Sequence, residues 1–148
     1  MNPRNLLFGS PDTGRTLDAG LLVLRLGLFS LLAFAHGLGK VPPGQGLIDN
    51  TAGMGFPLPG LFAWAAALSE FAGGLLLALG LVTRPAAFFV AFTMLVAFVG
   101  AHGARLTGDG NGEMAFVYLV GALTLLLTGP GRFSVDALLH RPTVGYQR

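Results

Sequence analysis

The chain has 148 residues, of which 53% are hydrophobic and only 11% charged, with a formal net charge of +2. Soluble domains carry about 25% charged residues, so this chain cannot cover a water-facing surface and lipid must be part of its solvent. The small net charge, with no contiguous basic patch, speaks against nucleic acid. The absence of cysteine excludes a disulfide framework, a CxxC redox pair, thiolate-held iron–sulfur clusters and covalently attached c-type haem.

At this length one compact unit is expected. Residues 1–16 are polar and turn-rich, with Gly9-Ser10-Pro11-Asp12 and Arg15, and read as a tail. Leu17–Gly37 is almost wholly apolar and predicts a first membrane span, interrupted by Arg25; about 20 residues cross the hydrocarbon. Ala33-Phe34-Ala35 resembles a signal-peptidase site, but Arg25 inside the apolar region and the polar leader before it argue against cleavage. Residues 37–60 form a long connection rich in Gly and Pro, whose middle, Gln45–Met54, predicts a helical turn or two lying at the membrane surface.

Leu61–Leu81 predicts the second span and residues 86–103 the third, with Pro85 in the first turn of the latter, where a missing N–H costs nothing. A polar loop, Ala104–Gly112, precedes a shorter apolar stretch at 113–128, the predicted fourth span. Gly129-Pro130-Gly131 ends it, Phe133–Leu139 predicts a short interfacial helix with Ser134 as a candidate cap, and residues 140–148 read as a second tail. The expectation is an all-α protein, an antiparallel four-transmembrane-helix bundle. With four spans the termini share a side that carries Arg4, Arg15, Arg84, Arg132, Arg141 and Arg148, against Lys40 and Arg105 on the other. The positive-inside rule then makes both termini cytoplasmic.

Ionisable residues inside hydrocarbon cost about 2.5 kcal/mol or more and need a partner, a proton or a function. Glu70 is the only charge within Leu61–Leu81, and its helical neighbours Ala63, Ala66, Ala67, Gly73 and Gly74 are small. Small residues mark a helix–helix seam, so Glu70 is expected to point into one. Arg25 and His36, eleven residues apart, share a helix face at about 100° per residue, and Lys40 lies near that face if the helix continues past Gly37 and Gly39. Depth along the two spans predicts an Arg25–Glu70 ion pair or water-bridged pair, which either fixes helix register or forms a ligand or proton site. Nearer the other membrane face, His36, His102 and Glu113 form a shallower polar layer, which either caps helix ends or handles protons, a metal or a quinone carbonyl. Their spacing matches no local metal motif. Trp64 and Tyr118 read as an aromatic belt. Phe88, Phe89 and Phe92 either face lipid or line a hydrophobic cavity for a quinone ring.

With these parts in order the chain resembles the DoxX family of small four-helix membrane proteins. The resemblance rests on Arg25, on His36-Gly37 followed by Lys40, and on Gly55-Phe56-Pro57. It continues through the run from Glu70-Phe71-Ala72-Gly73-Gly74 to Leu81, then Thr83-Arg84, His102 and Gly129-Pro130-Gly131-Arg132-Phe133-Ser134-Val135-Asp136. The family takes its name from membrane subunits of a thiosulfate:quinone oxidoreductase. The resemblance therefore implies a bacterial-type inner-membrane protein, a quinone as ligand, and partner redox subunits or a homo-oligomer in the lipid bilayer. The lack of cysteine removes a persulfide route within this chain. Glu70, Arg25, His36 and His102 are the candidates for catalysis; Arg25, Glu70, His36 and Lys40 are those for holding a quinone. A non-catalytic scaffold docking through small-residue seams, and a small-molecule carrier, are the competing expectations.

Overall fold

The computed structural model describes residues 14–139, and all the secondary structure in that range is helical. The tails expected at 1–16 and 140–148 lie wholly or mostly outside these residues, as do Arg4, Arg141 and Arg148. Helix α1 (Gly14–Lys40), α3 (Pro59–Leu79) and α4 (Thr83–Ala101) are long and apolar enough to cross a membrane. Between α1 and α3 lies a short helix, α2 (Gln45–Gly53). Helix α5 (Glu113–Thr128) has 16 residues, about 24 Å, less than the roughly 20 residues a span requires. Length and composition thus give three spanning helices and leave α5 as a shorter apolar helix. A single turn and a half, α6 (Val135–Leu139), closes the described chain.

In lipid, helices gain nothing from hiding apolar surface from each other, so close packing of small residues decides which faces meet. Helix α1 lies antiparallel on α3, α3 on α4, and α4 on α5 along most of its length. Helix α5 closes back on α1 where Gly121 receives Leu28 and Phe29. Gly37 is the tightest point: a Cβ there would stand 2.5 Å from the Phe71 nitrogen, against backbone that cannot move aside. Gly74 meets Phe29 and Ala33 in the same seam. These contacts set the register, with Gly37 level with Glu70–Phe71 and Arg25 level with Ala78–Gly80.

The end of the molecule nearest Gly80 is locked by the segment after α5. Gly80 adopts φ 68° as the left-handed residue closing α3, and Leu81 N and Gly80 N donate to the carbonyls of Leu76 and Leu77, the paired bonds of a Schellman turn. Asp136 then accepts from the amides of Val82 and Thr83 and from the Thr83 hydroxyl, capping α4. The amide of Asp136 donates to Gly80 O at 2.9 Å, and that of Arg132 to the Asp18 carboxylate at 2.9 Å. Ser134 caps α6, its Oγ accepting from Ala137 N at 3.2 Å.

Candidate functional site

The expected pairing of Arg25 with Glu70 is not what the structure contains. Arg25 is fully buried and donates to the carbonyl oxygens of Ala78 and Phe133, while its Nε has no partner among the described residues. The reason is the helix register. Arg25 is level with Ala78–Gly80, eight to ten residues and therefore roughly 12–15 Å along α3 from Glu70, beyond a side chain's reach. Helix α1 and α3 run antiparallel, so the residue that arrives level with Glu70 comes from the far end of α1.

That residue is Lys40. Helix α1 continues through Gly37 into a tight turn, Leu38–Lys40, and the ammonium lies 2.7 and 2.6 Å from the two carboxylate oxygens of Glu70. Both oxygens accept from one nitrogen, a charge-assisted arrangement. Glu70 is 4% exposed; the Lys40 side chain keeps 38% of its surface.

The pair stands on the wall of a half-open cavity of about 930 Å³ lined by α3 and α4, with residues of α2 along one side. Phe62, Leu76, Phe89, Phe92 and Val96 supply apolar surface; Asn50 and Thr51 come from α2, and Ser69, Thr93 and His102 add polar points. The Ser69 hydroxyl is buried with no partner among the described residues. The two readings of the phenylalanine cluster both hold: Phe89 and Phe92 line the cavity yet are 61% and 52% exposed, and Phe88, 55% exposed, packs edge-on against Phe89.

The two histidines go separate ways. His36 does not line the cavity; its ring meets Tyr118 of α5 edge-on at 5.5 Å. His102 lines it, with Nδ1 2.9 Å from the Gly110 carbonyl oxygen. Glu113 is exposed, and its amide donates to Asn111 Oδ1, which caps α5. The three do not come together, and no group of three or more His, Cys, Asp or Glu side chains suited to a metal occurs among the described residues. Arg25 and His36 also turn to different neighbours. Wide turns with i→i+5 bonding at Arg25–Phe29 and Leu32–Gly37 intervene and break the 100° arithmetic. Similar turns fall at Ser69–Gly73, around Glu70, and at Ala97–Ala101, just before His102. Such turns are rare and are frequently found at functional sites.

Tyr118 is the residue sequence reasoning misplaced. It is 1% exposed, inside the protein and not in an interfacial belt. Its signal was the one used for Glu70: Ala115, Gly121 and Ala122 lie at offsets of −3, +3 and +4, which marks a packed face.

The DoxX family model matches residues 20–103, from the first spanning helix through the third, including Arg25, Lys40, Glu70 and His102. The chain belongs to the DoxX family. Among its relatives, the inner membrane protein YqjF of Escherichia coli (strain K12) is 35% identical over 129 residues, 84% of this chain and 95% of the relative. The inner membrane protein YphA of the same organism is 33% identical over 132 residues, 84% of this chain and 94% of the relative. A Bacillus subtilis (strain 168) protein named "Putative oxidoreductase CatD" is 28% identical over 127 residues, 86% of this chain and 92% of the relative. No solved structure matches the chain. This DoxX member is therefore a membrane protein with a charged pair at a largely apolar cavity.

Proposed function

We propose that this DoxX protein is a redox-associated subunit of a bacterial-type inner membrane. On this reading its cavity holds the head of a quinone and its electrons come from a partner chain. The observation that carries the reading is the Lys40–Glu70 ion pair on the wall of an otherwise largely apolar cavity. Ligand sites of roughly 300–1,000 Å³ have this make-up, apolar lining with a few polar groups that orient the ligand. The two charges cancel, so the site suits a neutral head with an apolar tail. The Lys40 ammonium would donate to a ring carbonyl oxygen, the Glu70 carboxylate would accept from a quinol hydroxyl, and Ser69 offers a second hydroxyl. Phe89 and Phe92 supply flat apolar surface. Helix α5 serves as the fourth span, the bilayer thinning around it, and both termini lie in the cytoplasm. The names of the Escherichia coli relatives support the membrane, and that of the Bacillus subtilis relative supports the redox class.

The test is to purify the protein in mild detergent and measure extractable isoprenoid quinones by mass spectrometry, alongside titration with decylubiquinone. Bound quinone near one per chain, falling at least tenfold in Lys40→Met and Glu70→Gln, is the expected result. A wild-type protein that carries none and does not bind the added quinone overturns the reading. Co-purification of partner chains alone would then favour a scaffold.

A further inference from the structure

Resting on the quinone reading, the shape of the cavity says where the rest of such a ligand lies. The lining runs the whole length of α4, from Val82 to His102. That is about 30 Å at 1.5 Å per residue, the thickness of the hydrocarbon core. Gly73 of α3 is level with Val90 of α4, and the two helices are antiparallel, so Glu70 stands near the level of Thr93. That level divides the lining in two. Every polar lining residue, from Lys40 and Glu70 to Asn50 and His102, lies at it or on the α2 side. On the other side, from Gly73 and Leu76 of α3 to Phe89, Ala86 and Pro85 of α4, the lining is apolar throughout. This apolar part, Thr93 to Val82, is roughly 16 Å long, half the thickness of the core.

The two ends and the open side orient the site. At the α2 end Met54 closes on α4, its sulfur 2.7 Å from where a Cβ on Gly100 would stand. The side is open, because Phe89 and Phe92 line the cavity and are exposed. Both α3 and α4 are of membrane-crossing length, so that side faces lipid. Spread over its length, about 930 Å³ makes a groove roughly 6 Å across, half the width of a helix with its side chains. One hydrocarbon chain fits in it and two abreast do not. At the polar end the buried Ser69 hydroxyl has no partner among the described residues and lies 3.9 Å from a Cβ placed on Gly73. A buried hydroxyl normally has a partner, and a ligand head at this level supplies one.

We infer that the groove between α3 and α4 is a tail subsite, which takes the one hydrocarbon chain of a single-tailed amphiphile with an uncharged head. The ligand enters sideways from lipid, its head lodges at Lys40, Glu70 and Ser69, and its tail runs away from α2 toward Val82. Lipid and groove are equally apolar to the tail, so fit selects the occupant and hydrophobicity does not.

The test uses the protein in phosphatidylcholine nanodiscs and a hexadecanol carrying a diazirine at mid-chain, a probe with one tail and an uncharged hydroxyl head. Photolysis and peptide mass spectrometry should place several-fold more label between Gly73 and Phe92 than on the lipid-facing sides of α1 and α5, where Val23 and Leu127 are exposed. Ala72 is exposed and lines the groove. Ala72→Trp therefore fills the groove from the lipid side and should abolish the excess. Leu79→Trp, exposed outside the groove, should not. Label spread evenly over the lipid-facing helices overturns the inference whether or not quinone binds, and wild type alone decides this should the Ala72 variant fail to fold. Excess decylubiquinone should displace the label. If it does not, while the label stays confined to the groove, the quinone reading falls and the tail subsite stands with another uncharged head.

Discussion

At the scale of single residues, the decisive group is Lys40. Removing one member of a buried ion pair leaves the other uncompensated, but the Lys40 side chain is 38% exposed, so water softens the penalty. Lys40→Met should therefore cost about 1.5–3 kcal/mol, the range for hydrogen bonds to charged groups. The double variant Lys40→Met, Glu70→Gln should recover part of that loss, as read by thermal unfolding in detergent. A double variant less stable than the sum of the singles would contradict the pairing. Glu70 itself was legible in the sequence: one carboxylate among small residues in an apolar run marks both a cost and a seam. Its partner was not. Choosing between Arg25 and Lys40 needed the antiparallel register, and that is fixed by the contact of Gly37 with the Phe71 backbone, a fact of packing between distant segments.

At the scale of helices, the seam between α1 and α3 and the clamp at Gly80 make separable predictions. Gly37→Ala forces a methyl into backbone and should cost about 1–3 kcal/mol, the usual penalty for overpacking. Gly20→Ala, on the same helix with nothing within 4 Å of its added Cβ, should be neutral or stabilise by up to about 1 kcal/mol through helix propensity. Paired melting curves of the two variants read the contrast directly; equal melting points would mean that α1 does not approach α3 at Gly37. Gly80→Ala should be worse than Gly20→Ala, because φ 68° disfavours a side chain and the new methyl would overlap the Arg25 guanidinium. The existence of the long helices was plain from the hydropathy, and the short helix expected within Gln45–Met54 forms at Gln45–Gly53. The wide turns were not, because no proline marks them.

Considered as a whole, the described residues hold two polar centres eight to ten residues apart along α3, and they do different work. Around Lys40 and Glu70 it presents charge to a cavity. Around Arg25, charge is consumed by backbone carbonyls and by the segment that follows α5. Arg25→Met should therefore expose the stretch from Gly129 to Leu139 to added protease and lower the melting temperature. The residual folded protein should still bind decylubiquinone with wild-type affinity, because Arg25 does not line the cavity. A loss of affinity matching that of Glu70→Gln would show the two centres to be one.

The reach of Arg25 to Phe133 also has a consequence in time. The two residues are 108 positions apart, so during synthesis the arginine enters the bilayer long before its carbonyl acceptor has been made. The cap on α4 waits as well, because Asp136 follows Thr83 by 53 positions. Until the last described helix leaves the ribosome, the first span holds a cation whose final resting place does not yet exist. A chain stalled ahead of Phe133 is accordingly an open assembly intermediate, in which the Phe133 carbonyl that Arg25 uses is still missing.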